Sequence, residues 1–414
     1  MVTIQSKSIR YLTPLLVIIA VIQLMMCLQY TLIIRPAGAG DEGYFMQNLD
    51  LLGTEHWFDL ISKGNAINFS LPTYFLSLFT DTYFALRMFN LFIFTLFIYY
   101  LIVKLNYTDW IYISILIMYT SVTSYMFYGT NDALFTLSLA IFLIEVYYFI
   151  LTHQLKNPTW TILSLLTAIS TREISIFYLP VILVSLYIIR KNLVQINTRN
   201  YLFIFIFSVV LFLINIPSIV TRMKPSYDNK EGKYGITWSQ RGYFWQLKNP
   251  DSKDKSQPSW EEVRAYLDLH GEKSLPKSYF EGIFFDLELT IKDFFVDFID
   301  ALKGVFRQLG VLALLPILLI FARNNSYKKG LVFVAGSYYL VLSLFSFVII
   351  TYVELRWMGA VSILLIISSS SIIDGIMKDY KNSVYMNYAK ISVILNFILL
   401  GIYGIITYSK LVNT

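Results

Sequence analysis

Asp41 and Glu42 stand side by side just past the first long apolar run, with Gly38, Gly40 and Gly43 around them. Arg87, Asp132, Arg172 with Glu173, and Glu354 with Arg356 each fall within a few residues of the end of another such run. Carboxylates in this setting suit a general base that takes a proton from an acceptor hydroxyl or amine. Arginines suit a phosphate at headgroup level, because the planar guanidinium meets two phosphate oxygens at once. Acid and arginine at one rim therefore point to a phosphorylated lipid as ligand. Its phosphate would leave, stabilised by Arg172 or Arg356 as charge develops on it. Glu145 differs in lying mid-run, where a charge costs about 2.5–3.5 kcal/mol and needs a partner or a proton.

Each of these residues also has a plain structural reading. Asp41 can cap a helix that begins at Glu42, and Asp132, after Gly129-Thr130-Asn131, can cap the run it opens. Arg172 and Glu173 can pair with each other, and Glu354 and Arg356 can be ordinary interfacial charges. Arg87 reads more readily as a snorkelling anchor than as a ligand. His56, His153 and His270 are scattered, without metal-ligand spacing.

The elements that must position these groups follow from composition. Of 414 residues, 56% are hydrophobic and only 14% charged, and the mean hydropathy is +0.59. So much apolar surface finds no polar cover in a soluble domain. Continuous apolar runs of about 20 residues match the hydrocarbon thickness and exclude the alternating pattern of a barrel. The chain reads as an all-α polytopic membrane protein, a single integral membrane domain over 1–414. About eleven spans are expected, at 11–34, 88–104, 110–128, 132–151, 160–171, 174–190, 201–219, 304–322, 330–351, 357–376 and 388–408. The first run is longer than a signal peptide's apolar region and reads as a retained span. The single cysteine, Cys27, allows no intrachain disulfide.

Thirteen Lys and Arg fall in the short connections on the N-terminal side, against six in those on the other side. This asymmetry predicts a cytoplasmic N-terminus and an outward-facing acidic pair. The net charge of +6 is not gathered on a soluble face, so no nucleic-acid partner is expected. The first outer loop, 35–87, predicts interfacial helices, one from Glu42 to a stop at Gly53 and one capped by Thr54 with a stop at Gly64. In the large outer segment 220–303, residues 248–255 read as a polar turn, and Ser259-Trp260-Glu261-Glu262 is a capping box. Farther on, Ile291, Phe294, Phe295, Phe298 and Leu302 share a helical face, with Lys292, Asp293, Asp297 and Asp300 elsewhere, as in an interfacial amphipathic helix. No internal repeat is visible.

Taken in order, Asp41-Glu42, Pro72-Thr73-Tyr74-Phe75, Leu86-Arg87, Asp132, Thr171-Arg172-Glu173 and Glu354-Leu355-Arg356-Trp357 form a familiar series. Over roughly residues 1–370 the chain resembles the GT-C superfamily of polyprenyl-phosphate-sugar glycosyltransferases. It is most similar to the branch of protein O-mannosyltransferases and lipid A aminoarabinose transferases. The resemblance implies a GT-C-like bundle with interfacial helices in the first and fourth outer loops and an inverting transferase site open to the outer leaflet. Asp41 would be the catalytic base, and Glu42 and Asp132 would shape the acceptor side. Arg172 and Arg356 would hold the donor phosphate, supported by Glu173, Glu354 and Arg87. A divalent cation, if used, would sit on Asp41, Glu42 and Asp132. The implied partners are a polyprenyl-phosphate-linked sugar and a lipid, glycan or protein acceptor, in a bacterial inner membrane. Two other readings share the pattern: a lipid-carrier flippase, and a sugar-chain polymerase or ligase that takes a lipid-diphosphate donor.

Overall fold

The structure is a computed structural model that describes residues 2–123, 125–193, 198–228, 232–248, 256–320, 322, 326–348, 353–378 and 383–412. Among these residues it is all helix, without a strand; Asn65 and Asp228 make one isolated antiparallel bridge. Among the described residues nine helices are long and apolar enough to cross a membrane, so the chain is a multi-pass membrane protein. Two of the expected spans, 110–128 and 160–171, correspond to helices of only 14 residues. The chain divides into two compact units, Met1–Asp228 with Phe306–Tyr338 and Gly359–Thr414, and Asn229–Val305 with Tyr339–Met358.

The first unit opens with α1 (Val2–Gln29), which closes on a π-turn, Tyr30–Ile34. Three short helices follow between the first two long apolar ones: α2 (Glu42–Thr54), α3 (Trp57–Lys63) and α4 (Ile67–Ser77). Gly64, with φ +84°, ends α3 as the sequence predicts. Gly53 does not end α2, which runs on to Thr54, and His56 precedes α3 where Thr54 was the expected cap. Then come α5 (Thr82–Tyr99), α6 (Trp110–Thr123), α7 (Asp132–Thr152), α8 (Pro158–Thr171), α9 (Leu179–Leu193) and α10 (Thr198–Arg222).

α7 is the axis of this unit. Every residue from Asp132 to Tyr147 is buried, as a helix apolar all round must be. Its neighbours include α5, α8 and α9. Glu145, the mid-run acid, is fully buried and fully used. It accepts from the Tyr100 hydroxyl (2.6 Å), the amides of Lys156 (3.0 Å) and Asn157 (3.2 Å), and Asn157 Nδ2 (3.0 Å). It therefore anchors the turn into α8. Glu145→Ala strands these donors at about 1–3 kcal/mol each. The expected result is a clear fall in the unfolding temperature of detergent-purified protein, read by tryptophan fluorescence.

The second unit is built from α11 (Trp238–Lys248), α12 (Trp260–His270), α13 (Tyr279–Phe285), residues 287–305 of α14 (Leu287–Leu309), and residues 339–348 of α15 (Ser326–Val348). Its small core contains Ile236, Tyr243, Phe244, Val263, Leu267 and Leu275. The capping box forms as the sequence predicts: Ser259 Oγ accepts from the Glu262 amide (3.1 Å), and Glu262 accepts from the Ser259 amide (2.8 Å). Residues 249–255 of the expected polar turn lie outside the described residues.

Back in the first unit, α16 (Gly359–Lys378) packs on α6 and α7, and α17 (Ser383–Val412) lies along α1. Gly401 and Gly404 allow this last approach: a Cβ on Gly404 would fall 2.8 Å from Gln23 Nε2, and one on Gly401 2.5 Å from Ile19 Cγ2. The Tyr408 hydroxyl seals the seam by donating to Ser121 O, beside Cys27 Sγ at 3.2 Å.

Candidate functional site

The link between α1 and α2 sets the geometry of the acidic pair. Gly38 has φ +73°, a conformation that favours glycine, and the turn it makes brings the Gly38 amide onto Glu42 Oε2 (3.1 Å). Glu42 then points inward and is 0% exposed. The Arg87 guanidinium, also 0% exposed, grips it side-on with one edge: Nε to Oε1 at 2.7 Å and Nη2 to Oε2 at 2.7 Å. Arg87 spends its remaining donors on Thr31 O (2.6 Å), Arg35 O (3.2 Å) and Pro36 O (3.1 Å), carbonyls at the end of α1. Arg87 is thus no snorkelling anchor: it is the counterion of Glu42.

Two further groups complete the Glu42 shell. Arg35 Nη1 donates to Oε2 (3.2 Å), Arg35 Nη2 donates to Ala39 O (2.5 Å), and its guanidinium lies 3.7 Å from the Tyr128 ring centroid. The Gly129 amide donates to Oε1 at 3.1 Å. Only glycine fits there, because a Cβ would meet Glu42 Oε1 at 2.6 Å and Leu86 Cβ at 2.8 Å. Glu42 therefore accepts five hydrogen bonds and joins α1, α2, α5 and the loop before α7. A carboxylate so engaged holds its neighbours in place, and no proton acceptor for a substrate remains on it. Asp41, one residue earlier, is half-buried on the lip of this turn, and its side chain makes no capping bond to α2.

The same loop delivers the second carboxylate. Asn90 Nδ2 donates to Thr130 O (2.8 Å) and Asn131 Nδ2 to Thr171 O (3.3 Å), which tie the loop to α5 and to the end of α8. Asp132 is the first residue of α7, so Asn131, not Asp132, occupies the capping position. Asp132 Oδ2 accepts from Thr130 Oγ1 (2.9 Å), and Oδ1 forms an ion pair with Arg172 Nη1. Arg172 does not pair with Glu173, as the sequence had allowed. Its backbone is extended between α8 and the 3-10 turn Glu173–Tyr178, so the two side chains diverge, and Glu173 takes Lys224 Nζ at 2.8 and 3.0 Å.

Glu42, Arg87 and Arg35 thus form one bonded cluster of the first unit and Asp132 with Arg172 another; the chain from Gly129, which donates to Glu42, to Asp132 joins them, and Asp41 precedes Glu42 in the turn. Glu354 and Arg356 belong to the second unit, where they form an ion pair with each other.

One set of residues escaped the sequence reading. Asn215, near the end of α10, donates to Asn68 Oδ1 (3.1 Å) and accepts from the Ser226 amide (2.8 Å). Ser226 Oγ contacts Asn65 Oδ1 (3.2 Å) and Ile61 O (3.2 Å), and Asn68 Nδ2 donates to Ser170 O (2.6 Å). Burial pushes the Tyr227 phenol up to about 12, so it stays protonated and donates to Ile169 O (2.6 Å). These bonds fasten the segment of α3 and α4 to α8 and α10. The available signal was Asn215 and Ser218 inside an otherwise apolar run.

A divalent cation on Asp41, Glu42 and Asp132 does not fit this arrangement. Glu42 is saturated by two arginines and two amides, and Asp132 is committed to Arg172 and Thr130. Among the described residues no three His, Cys, Asp or Glu side chains gather as a ligand group. Against known proteins, no family model, curated protein or solved structure matches the chain.

Proposed function

We propose that the chain is an integral membrane glycosyltransferase that moves a sugar from a polyprenyl-phosphate carrier to an acceptor on the outer face of a plasma membrane. The N-terminus would then be cytoplasmic. The observation that carries this reading is the division of labour within the acidic pair. Glu42 is locked by Arg87 and Arg35, which fixes the turn that carries Asp41, while Gly129, three residues before the Arg172-paired Asp132, donates to Glu42.

In the transfer step the acceptor hydroxyl attacks the anomeric carbon, and the bond from that carbon to the phosphate oxygen breaks. The acceptor proton passes to the Asp41 carboxylate, and polyprenyl phosphate leaves with the electron pair. Inversion at the sugar follows from single displacement. Arg172 would receive the departing phosphate, an interaction that strengthens as charge accumulates and so lowers the barrier. Glu42, Arg87 and Arg35 are positioning residues in this scheme.

The test is transfer by purified protein in liposomes, with labelled polyprenyl-phosphate sugars of several kinds and extracted envelope acceptors. Product with release of polyprenyl monophosphate supports the reading. Consumption of only diphosphate-linked sugars, or movement of lipid-linked sugar across the bilayer without a glycosidic product, overturns it. Arg172→Ala removes a charge-assisted contact of about 1.5–3 kcal/mol. The donor KM is then expected to rise about 10- to 100-fold, with the acceptor KM little changed.

A further inference from the structure

α14 is turned the opposite way from a helix lying on water. Ile291, Phe295 and Ile299 are exposed on its outer side, while Thr290, Asp293, Asp297 and Ala301 are buried. The sequence pattern identifies an amphipathic helix, but the acidic side faces the interior of the second unit. An ionisable residue on the protein side of a helix whose other side suits lipid is a functional-site candidate on physical grounds.

Asp293 is 2% exposed and accepts from Gln246 Nε2 of α11 at 2.5 Å. Asp297 is 4% exposed, and among the described residues its Oδ2 has no hydrogen-bond partner. Among the described residues neither carboxylate forms an ion pair. Asp300, one turn on, is exposed and paired with Lys303 (2.7 Å), and Lys292 is exposed. Two acids withdrawn from water with a single amide hydrogen bond, made to Asp293, are a costly arrangement, because buried charges are paired or coordinate metals.

We propose that Asp293, Asp297 and Gln246 bind a hard divalent cation, Mg2+ or Ca2+. Residues four apart on a helix share a face with Cβ atoms about 5–6 Å apart, a spacing from which two carboxylates can converge on one ion. The ligands are all oxygen, as both ions require, and a site with two carboxylates completes its shell with water. A half-turn of the Gln246 carboxamide exchanges its nitrogen for Oε1 as a third protein ligand. The site stands apart from the transfer chemistry above and does not depend on it.

The experiment uses the full chain in detergent, stripped with EDTA, and Tb3+ as probe. Trp245, adjacent to Gln246, is the donor for sensitised emission. The wild type is expected to show saturable Tb3+ emission that Ca2+ or Mg2+ displaces, and an unfolding temperature that rises on adding either ion. Asp297→Asn and Asp293→Asn should each weaken Tb3+ binding about 10- to 100-fold, while Asp300→Asn leaves it unchanged. Emission that survives both substitutions places the ion elsewhere and overturns the proposal. So does a wild type that binds no ion and is no less stable after EDTA, since the pair is then neutralised by a proton. This last comparison needs no variant, so it decides the matter even where Asp293→Asn or Asp297→Asn does not fold.

Discussion

Arg87→Met is expected to destabilise the protein by about 3–5 kcal/mol, the usual cost of removing one partner from a buried ion pair. A typical domain has only about 5–15 kcal/mol in hand, so little correctly folded protein should survive extraction. The reason is specific: Glu42 is left fully buried with Arg35 as its sole cation, and the carbonyls of Thr31 and Pro36 each lose a bond from Arg87. Arg87→Lys should recover little, because an ammonium cannot span both Glu42 oxygens and the α1 carbonyls at once. Glu42→Gln combined with Arg87→Met should be less damaging than Arg87→Met alone, since no charge is then stranded. Thermal unfolding in detergent measures all three. Arg87→Met with parental stability would remove the pair from its place at the centre of the site.

Asp41→Asn is expected to behave in the opposite manner. The main effect is on the transfer rate, which falls about 10²- to 10⁴-fold with the loss of a general base. Glu42→Gln provides the contrast, lowering stability and activity together. Parental turnover by Asp41→Asn would place the base elsewhere.

The sequence revealed more of the scaffold than of the pairings. Apolar run lengths locate most helices, because crossing hydrocarbon demands a fixed length, and the Ser259–Glu262 box and the Gly64 stop are local enough to read directly. Pairings are tertiary. Arg87 finds Glu42 45 residues away, and Arg172 chooses Asp132 over the adjacent Glu173 because the extended backbone at Arg172 separates neighbouring side chains. Periodicity placed Asp293 and Asp297 off the apolar face of α14. It could not show which side meets protein, because lipid reverses the rule that polar residues point outward. Glu145 was recognised as needing a partner, but its partners are mostly backbone amides, and these carry no signature in the residue types.

The α1–α17 seam has a consequence for biogenesis. Cys27 and Tyr408 meet across 381 residues of chain, so α1 is synthesised long before the surface that covers it exists. At about 5–20 residues per second the interval is about 20–75 s. Throughout that time Gln23, with its side chain shaped to fit Gly404, lies in the bilayer without its final neighbour. α1 can pack on α6 early, but it gains its α17 neighbour only once that helix has been made.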